Sequence, residues 1–526
     1  MNESARRPRA STRTTKSLSA LLCLLLLPYA TVTSQTADPT TRIRDAALNH
    51  SQLMDIAGHL TDVIGPRLTG SPSLRRAEEY ARDKLLEWGV ANAHLEAWGP
   101  FGRGWSLEGF TAIMLSPGFS PLIAYPKAWS PGTNGAVRGE AVFLDVKTAA
   151  GLERYKGKLK GKIVLFSPAR QVDPLFEPPA QRQTDEELLR LANAQPPDAS
   201  QPFHFTPEQR AAEDLNFRKW QFVQSEGAAV VLQPAYRDGG TVYVTAATVP
   251  YPPDVPFAER AHPWDAGKTV AIPQVSVAAE QYNRMVRLAA RGIPVELEVN
   301  IAVRFYDDDP MSYNVIAEIP GTDLKDELVM LGGSIDSWHA GTGATDNAGG
   351  AATALEIMRI LRSLDLKPRR TIRIGLWSAE EQGSLGSRAY VAAHLLKPEA
   401  AQFDAYFNFD YGTGRIRGIY LQGNEGARPV FRALLEPFRD LGASTLSIAG
   451  VGSTDHIPFD EAGLPAFQWI RDYMEGQNTR ASHTNMDTYD HLLEDDLKQS
   501  AAVGASVVYG LAMRDEKLPR KPRPAP

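Results

Sequence analysis

The chain has 526 residues and is 43% hydrophobic, which is enough to bury a large core and to build more than one domain. Its formal net charge of -6 at pH 7 lacks the basic excess that typifies nucleic-acid-binding proteins, so we expect no nucleic-acid partner.

The N-terminus has the pattern of a signal peptide, which we assign to residues 1–34. Five basic residues precede an apolar run over residues 18–29, and small residues follow near Gln35. The run is too short for a typical membrane span, so we expect a secreted protein, periplasmic or extracellular, with no stable span after cleavage. An uncleaved anchor is the alternative.

Cys23 is the one cysteine of the chain, and it lies inside this predicted signal peptide. The mature chain is therefore expected to contain no cysteine. This excludes disulfides, thiolate metal ligands and a cysteine nucleophile, so any metal ion must be held by histidine and carboxylate side chains.

Three regions with different sequence patterns follow the signal peptide. Residues 41–115 contain a turn at residues 65–72 and a helical pattern, and residues 116–308 contain short β-like runs separated by glycine and proline. Residues 309–514 alternate strand-like and helix-like runs, which predicts an α/β layered domain with a largely parallel sheet. The predicted strands of this region are residues 315–319, 328–331, 371–377, 405–409, 419–422 and 466–470. Residues 515–526 are predicted to form a disordered tail.

Polar side chains follow the predicted strands of the third region. They are Asp336, His339, Asp346, Glu380, Glu381, Asp410 and His483. Because parallel strands end at the same edge of a sheet, these residues are expected to meet there.

Carboxylates and imidazoles without cysteine favour Zn²⁺ or Mn²⁺. Such an ion lowers the pKa of water and makes it a nucleophile, and a carboxylate that is not a ligand can carry the proton to the leaving amine. The adjacent Glu380 and Glu381 fit this division into base and ligand. A solvated acidic loop is the alternative interpretation of the pair.

Several ordered motifs resemble the zinc exopeptidase family that contains carboxypeptidase Q and the bacterial leucyl aminopeptidases. The matching segments are Gly332-Gly333-x-x-Asp336-Ser337, Gly343-Ala344-x-Asp346-Asn347, Glu380-Glu381-x-Gly383-Ser384-x-Gly386-Ser387, Asn408-Phe409-Asp410, His483-Thr484-x-x-Asp487-Thr488 and residues 65–72. The resemblance implies an α/β/α exopeptidase domain over residues 41–115 and 309–514. Residues 116–308 resemble the protease-associated domain that many members insert.

The resemblance also implies roles for individual residues. Asp346 would bridge two metal ions, Glu381 and His483 would complete one site, and Asp410 would belong to the other. Glu380 would be the general base.

One residue of the family pattern differs in this chain. Ser334 stands where the family has a histidine ligand, so we expect one zinc ion at the first site and a second site that is weakened or absent. Asp336 would orient that histidine, and in its absence direct ligation by Asp336 is the alternative. For His339, an ordinary loop role is favoured over assistance at the metal.

We therefore predict a secreted zinc-dependent exopeptidase, whether aminopeptidase, carboxypeptidase or dipeptidase, that acts on peptides. Catalytic residues would be Glu380 and Asp336. A homodimer is compatible with the sequence. Ser334 motivates the main alternative, a catalytically impaired homologue that binds peptides or protein partners. A different hydrolase-type reaction on the same metal scaffold, such as that of a cyclotransferase, is a further alternative.

Overall fold

The computed structural model describes residues 38–176, 178–197, 205–256, 259–265, 267, 270–396, 400–410, 412–472 and 481–521. The predicted signal peptide lies outside these residues. Among the helices that are described, none combines the length and the apolar character needed to cross a membrane.

The described part contains sixteen strands and eleven α-helices. The strands are β1 (Ala91–Trp98), β2 (Gly104–Ser116), β3 (Ser120–Pro121), β4 (Ala124–Pro126), β5 (Val137–Phe143), β6 (Ile163–Leu165), β7 (Val230–Pro234), β8 (Gln274–Val277), β9 (Glu296–Tyr306), β10 (Ser312–Ile319), β11 (Leu324–Ser334), β12 (Arg370–Trp377), β13 (Phe403–Asn408), β14 (Ile416–Tyr420), β15 (Thr445–Ser447) and β16 (Ala466–Arg471). The helices are α1 (Pro39–Asn49), α2 (Leu53–Gly58), α3 (Pro72–Glu87), α4 (Asp185–Ala192), α5 (Pro207–Ser225), α6 (Ala279–Ala290), α7 (Gly349–Ser363), α8 (Leu385–His394), α9 (Arg428–Leu435), α10 (Ile457–Glu461) and α11 (Glu494–Ala512).

The first sheet has the strand order β1-β10-β12-β11-β13-β16-β14-β15. The four central strands, β12, β11, β13 and β16, are parallel, and β1, β10 and β14 pair with their inner neighbours in antiparallel fashion. Each of the six strands predicted between residues 315 and 470 overlaps an observed strand. The predicted α/β class with a mixed, largely parallel sheet is confirmed.

Helices cover both faces of this sheet. Successive side chains of β11 point to opposite faces and pack in two separate apolar cores. Val329 and Leu331 pack in one core with residues of α7 and α11. Leu328 and Met330 pack in the other with residues of α8 and α10. A continuous apolar run in β11 is therefore buried on both sides, as in a three-layer α/β/α arrangement.

The second sheet has the order β3-β2-β9-β5-β6-β7-β8-β4 and takes its strands from the chain between Gly104 and Tyr306. Its two faces have separate apolar cores, one of which includes residues of α6 and the other residues of α5. The assignment of residues 116–308 to an inserted protease-associated domain stays a prediction.

The C-terminal segment differs from the predicted disordered tail over residues 515–521. Leu518 is 5% exposed, and its backbone N–H donates to Asp404 Oδ1 at 2.7 Å. Asn424 Nδ2 donates to the carbonyl of Pro519 at 2.7 Å. One leucine among charged residues and prolines gives no periodic signal, so composition alone did not reveal this packing. Residues 522–526 lie outside the described part.

Candidate metal centre

The carboxyl edge of the first sheet carries a cleft of about 560 Å³. The chain reaches this cleft after β11, β12, β13 and β16, as the strand order predicts. Five of the six residues predicted to act at the site are among those that line it: Asp346, Glu380, Glu381, Asp410 and His483. The sixth, Asp336, is 1% exposed and lies behind the turn that carries the two glutamates.

Three of these side chains converge on a common point. His483 Nε2 lies 3.1 Å from Asp346 Oδ2 and 3.0 Å from Glu381 Oε2. One ligand atom from each of the three residues lies within 4.8 Å of the others. Two atoms that bind the same zinc ion at about 2 Å are themselves about 3 Å apart. The three residues therefore fit one divalent ion.

The charges of the cleft also favour a cation. Burial raises the pKa of Glu381 to about 8, against the opposing effect of His483. Burial, followed by the charge of Asp410, raises the pKa of Glu380 well above its ordinary value. Anionic carboxylates are thus held in a site where ionisation costs free energy, and a bound cation offsets that cost.

The loop that carries Asp346 is fixed by a second carboxylate. Asp487 Oδ1 accepts from the backbone N–H of Thr345 at 2.6 Å and from its hydroxyl at 2.9 Å, and Asp487 Oδ2 accepts from the N–H of Asp346 at 3.2 Å. Ser482 Oγ donates to Asp346 Oδ2 at 2.6 Å. These bonds orient Asp346 before any ligand binds.

Asp336 holds the turn that follows β12. Its carboxylate accepts from the N–H groups of Glu380 at 3.2 Å and Glu381 at 3.3 Å, and from Thr69 Oγ1 at 2.9 Å. Burial raises the pKa of Asp336 to about 6. The partners of Asp336 are thus Thr69 and the backbone of the two glutamates, and the histidine that Asp336 would orient in the family is replaced by Ser334.

Arg67 is a buried residue of the site that the sequence did not single out. Its guanidinium donates to the carbonyls of Ile335, Thr342 and Gly343, which flank Asp336 and Asp346 in the loop after β11. It is 0% exposed, and burial lowers its pKa to about 10. Its position within the turn at residues 65–72 was the one available signal.

The second predicted metal site is incomplete. Ser334 is 2% exposed, and its hydroxyl accepts from Asn347 Nδ2 at 3.1 Å. Asp410 Oδ2 accepts from Thr454 Oγ1 at 2.9 Å. With the Ser334 hydroxyl engaged by an amide and no imidazole at this position, the residues present do not fit the family's second ion.

His339 lies away from the three-residue cluster. Its Nε2 donates to the carbonyl of Pro126 at 2.8 Å, and its ring packs edge-on against Trp105 at 5.0 Å. Burial lowers the pKa of His339 to about 4, so the ring is neutral near pH 7. These contacts agree with the ordinary loop role that was favoured from the sequence.

Tyr243 is the second residue that the sequence did not reveal. Its hydroxyl lies 3.1 Å from His483 Nδ1, although the two residues are 240 positions apart. No motif in the β-rich region pointed to this contact.

Comparisons with known proteins show which proteins this chain resembles. Residues 314–508 match the model of Peptidase family M28. Carboxypeptidase Q of Pongo abelii is 27% identical over 465 residues, which cover 88% of this chain and 85% of that protein.

Two solved structures share the fold. A Peptidase M28 precursor from Shewanella amazonensis has a TM-score of 0.65 at 23% identity and covers 92% of this chain and 98% of its own. A zinc aminopeptidase from Bacillus subtilis has a TM-score of 0.54 at 19% identity and covers 87% and 94%.

Proposed function

We propose that this chain, a metallopeptidase whose residues 314–508 match Peptidase family M28, is a secreted, zinc-dependent exopeptidase that hydrolyses terminal peptide bonds. The observation that carries the proposal is the convergence of Asp346, Glu381 and His483 within 4.8 Å. The zinc aminopeptidase of Bacillus subtilis supports the choice of metal through its shared fold.

Asp346, Glu381 and His483 would hold one zinc ion. Carboxylates and imidazole are both zinc ligands, and a catalytic zinc with three protein ligands keeps a fourth position for water or substrate. A zinc ion bound there supplies a Lewis acid that makes water nucleophilic near neutral pH.

Glu380 acts as the general base in this proposal. Its side chain lines the cleft beside Glu381. Its pKa is raised above the ordinary value, first by burial and then by the charge of Asp410, so Glu380 accepts a proton more readily than an exposed glutamate does. Glu380 accepts the proton of the attacking water and returns it to the nitrogen of the leaving amine.

Asp336 acts as a positioning residue. Its bonds to the backbone of Glu380 and Glu381 set the base and the ligand at fixed places on one turn. Direct ligation by Asp336 is disfavoured because its two oxygens are already occupied by three donors.

We assign one zinc ion per chain. The second ion of the family pattern would retain Asp346 and Asp410 but would face Ser334 in place of histidine, and a neutral hydroxyl is a poor zinc ligand. Asp410 therefore contributes charge beside Glu380 and remains a candidate ligand only when a histidine is restored at position 334.

Glu380→Gln tests the mechanism, with Glu153→Gln as the matched control. Glu153 undergoes the same chemical change on an exposed helical turn, where its side chain is 75% exposed. Purified zinc-loaded proteins are assayed on aminoacyl and dipeptide substrates. We expect Glu380→Gln to lose about 10²–10⁴-fold in kcat while it still binds zinc, and Glu153→Gln to match the wild type. Unchanged turnover by Glu380→Gln would reject the mechanism.

Ser334 favours one competing function, a peptide-binding homologue without turnover. The variant Ser334→His distinguishes the two. A wild type that binds zinc and peptides but hydrolyses none, together with a variant that gains a second zinc and turnover, supports the binding function. Turnover by the wild type itself supports the exopeptidase.

A further inference from the structure

Tyr243 lies in the connection between β7 and β8 of the second sheet, yet it contacts the metal cluster of the first sheet. Its hydroxyl is 3.1 Å from His483 Nδ1, and the two rings are 5.5 Å apart at an angle of 35°. We propose that Tyr243 is a positioning residue for His483, so that the second sheet completes the metal centre. This inference rests on the proposed role of His483 as a ligand.

The chemistry of imidazole makes this contact consequential. His483 Nε2 faces Asp346 and Glu381, so it is the nitrogen that offers its lone pair to an ion. In a neutral ring the proton must then sit on Nδ1. The Nδ1–H group donates to the Tyr243 oxygen, which fixes both the tautomer and the rotation of the ring.

The backbone of His483 needs the same support. Its φ of 61° lies in the left-handed region, which residues other than glycine seldom adopt. The N–H of Val244 donates to the carbonyl of His483 at 2.9 Å, and the N–H of Val242 donates to Asn485 Oδ1 at 2.7 Å. Tyr243 also forms an antiparallel bridge with Thr484. One segment of the second sheet thus holds both the backbone and the ring of His483.

This segment is itself anchored. Val242 and Val244 are 0% and 1% exposed and share an apolar cluster with Ala235 and Ala278. Ala340, from the loop between Asp336 and Asp346, packs against the same cluster. The ring of Trp338, also from that loop, packs edge-on against the ring of His483 with the centroids 6.0 Å apart. The hydroxyl of Tyr243 therefore has a fixed place relative to the ligands.

The test compares Tyr243→Phe with Tyr236→Phe. Tyr236 is a suitable control because its ring lies 6.1 Å from that of Tyr243 and is 66% exposed, so the same atom is removed without touching His483. Zinc affinity is measured on the full-length protein by competition with a chelator. We expect Tyr243→Phe to weaken zinc binding by about 10- to 100-fold and Tyr236→Phe to leave it unchanged.

A spectroscopic readout separates positioning from general loosening of the fold. The visible absorption of Co²⁺ in place of zinc reports ligand geometry, and it should shift in Tyr243→Phe alone. Should Tyr243→Phe fail to fold, ¹⁵N spectra of histidine-labelled, zinc-loaded wild type give the answer, since we expect the proton of His483 on Nδ1. A proton on Nε2 overturns the proposal.

His483→Ala separates this inference from its premise. If that variant binds zinc as the wild type does, the assignment of His483 as a ligand is wrong and the role of Tyr243 is rejected with it. If His483→Ala loses zinc while Tyr243→Phe keeps wild-type affinity and an unchanged Co²⁺ spectrum, the role of Tyr243 alone is rejected.

Discussion

Replacing Asp336 by asparagine removes one of the two oxygen atoms that hold the Glu380–Glu381 turn. Oδ1 accepts from the N–H of Glu380, and Oδ2 accepts from the N–H of Glu381 and from Thr69 Oγ1. Whichever way the amide is turned, its NH₂ group faces one of the two backbone N–H donors. Because Asp336 is 1% exposed, water does not replace the lost acceptor.

The magnitude follows from that unpaired donor. A buried N–H group without an acceptor costs about 1–3 kcal/mol, so the free energy of unfolding should fall by that amount. If the displaced turn also removes about 2 kcal/mol of transition-state stabilisation, kcat falls about 30-fold. Urea unfolding and steady-state kinetics on the preferred substrate measure the two effects.

Thr69→Val is the matched control, since it removes the hydroxyl donor and leaves both backbone bonds to Asp336. We expect it to change kcat far less than Asp336→Asn does. Equal effects of the two substitutions on kcat, or no effect of Asp336→Asn on either quantity, would refute the assignment of Asp336 as the residue that positions the turn.

Two further predictions concern stability away from the cleft. For His339, the folded pKa of about 4 lies below the ordinary 6.5, so the unfolded state binds more protons between these values and acidification destabilises the protein. His339→Gln retains an N–H donor for Pro126, and the wild type should lose about 3 kcal/mol relative to it as the pH falls from 6.5 to 4. Parallel unfolding free energies across that pH range would contradict the buried neutral ring. Leu518→Ala should lower the free energy of unfolding by about 2 kcal/mol, measured in urea, with kcat unchanged, because the leucine side chain is buried. An unchanged free energy of unfolding would indicate that residues 515–521 form a disordered tail, as the sequence predicted.

The sequence predicted the elements whose signals are local. Apolar runs located β11, β12 and β13, and polar residues directly after them located Asp346, Glu381 and Asp410 at one edge. These predictions succeeded because a parallel sheet brings all of its strand ends to the same side. The mixed, largely parallel class of the first sheet therefore followed from pattern, whereas its strand order did not.

The residues that hold the site residues in place could not be predicted from the sequence, because they act through contacts between distant parts of the chain. Arg67 binds the carbonyl of Ile335, which is 268 positions away, and Tyr243 binds His483 across 240 positions. Side-chain bonds to backbone carbonyls leave no periodicity in the sequence. The partners of Asp336 were missed for the same reason, since two of them are backbone N–H groups and the third, Thr69, is 267 positions away.

The central claim is that Asp346, Glu381 and His483 bind one zinc ion and that Ser334 prevents a second. Elemental analysis of the purified, zinc-loaded and dialysed protein tests it most directly, with His483→Ala analysed in parallel. We expect one zinc ion per chain in the wild type and none in the variant. Two zinc ions per wild-type chain, or equal zinc content in both proteins, would contradict the claim.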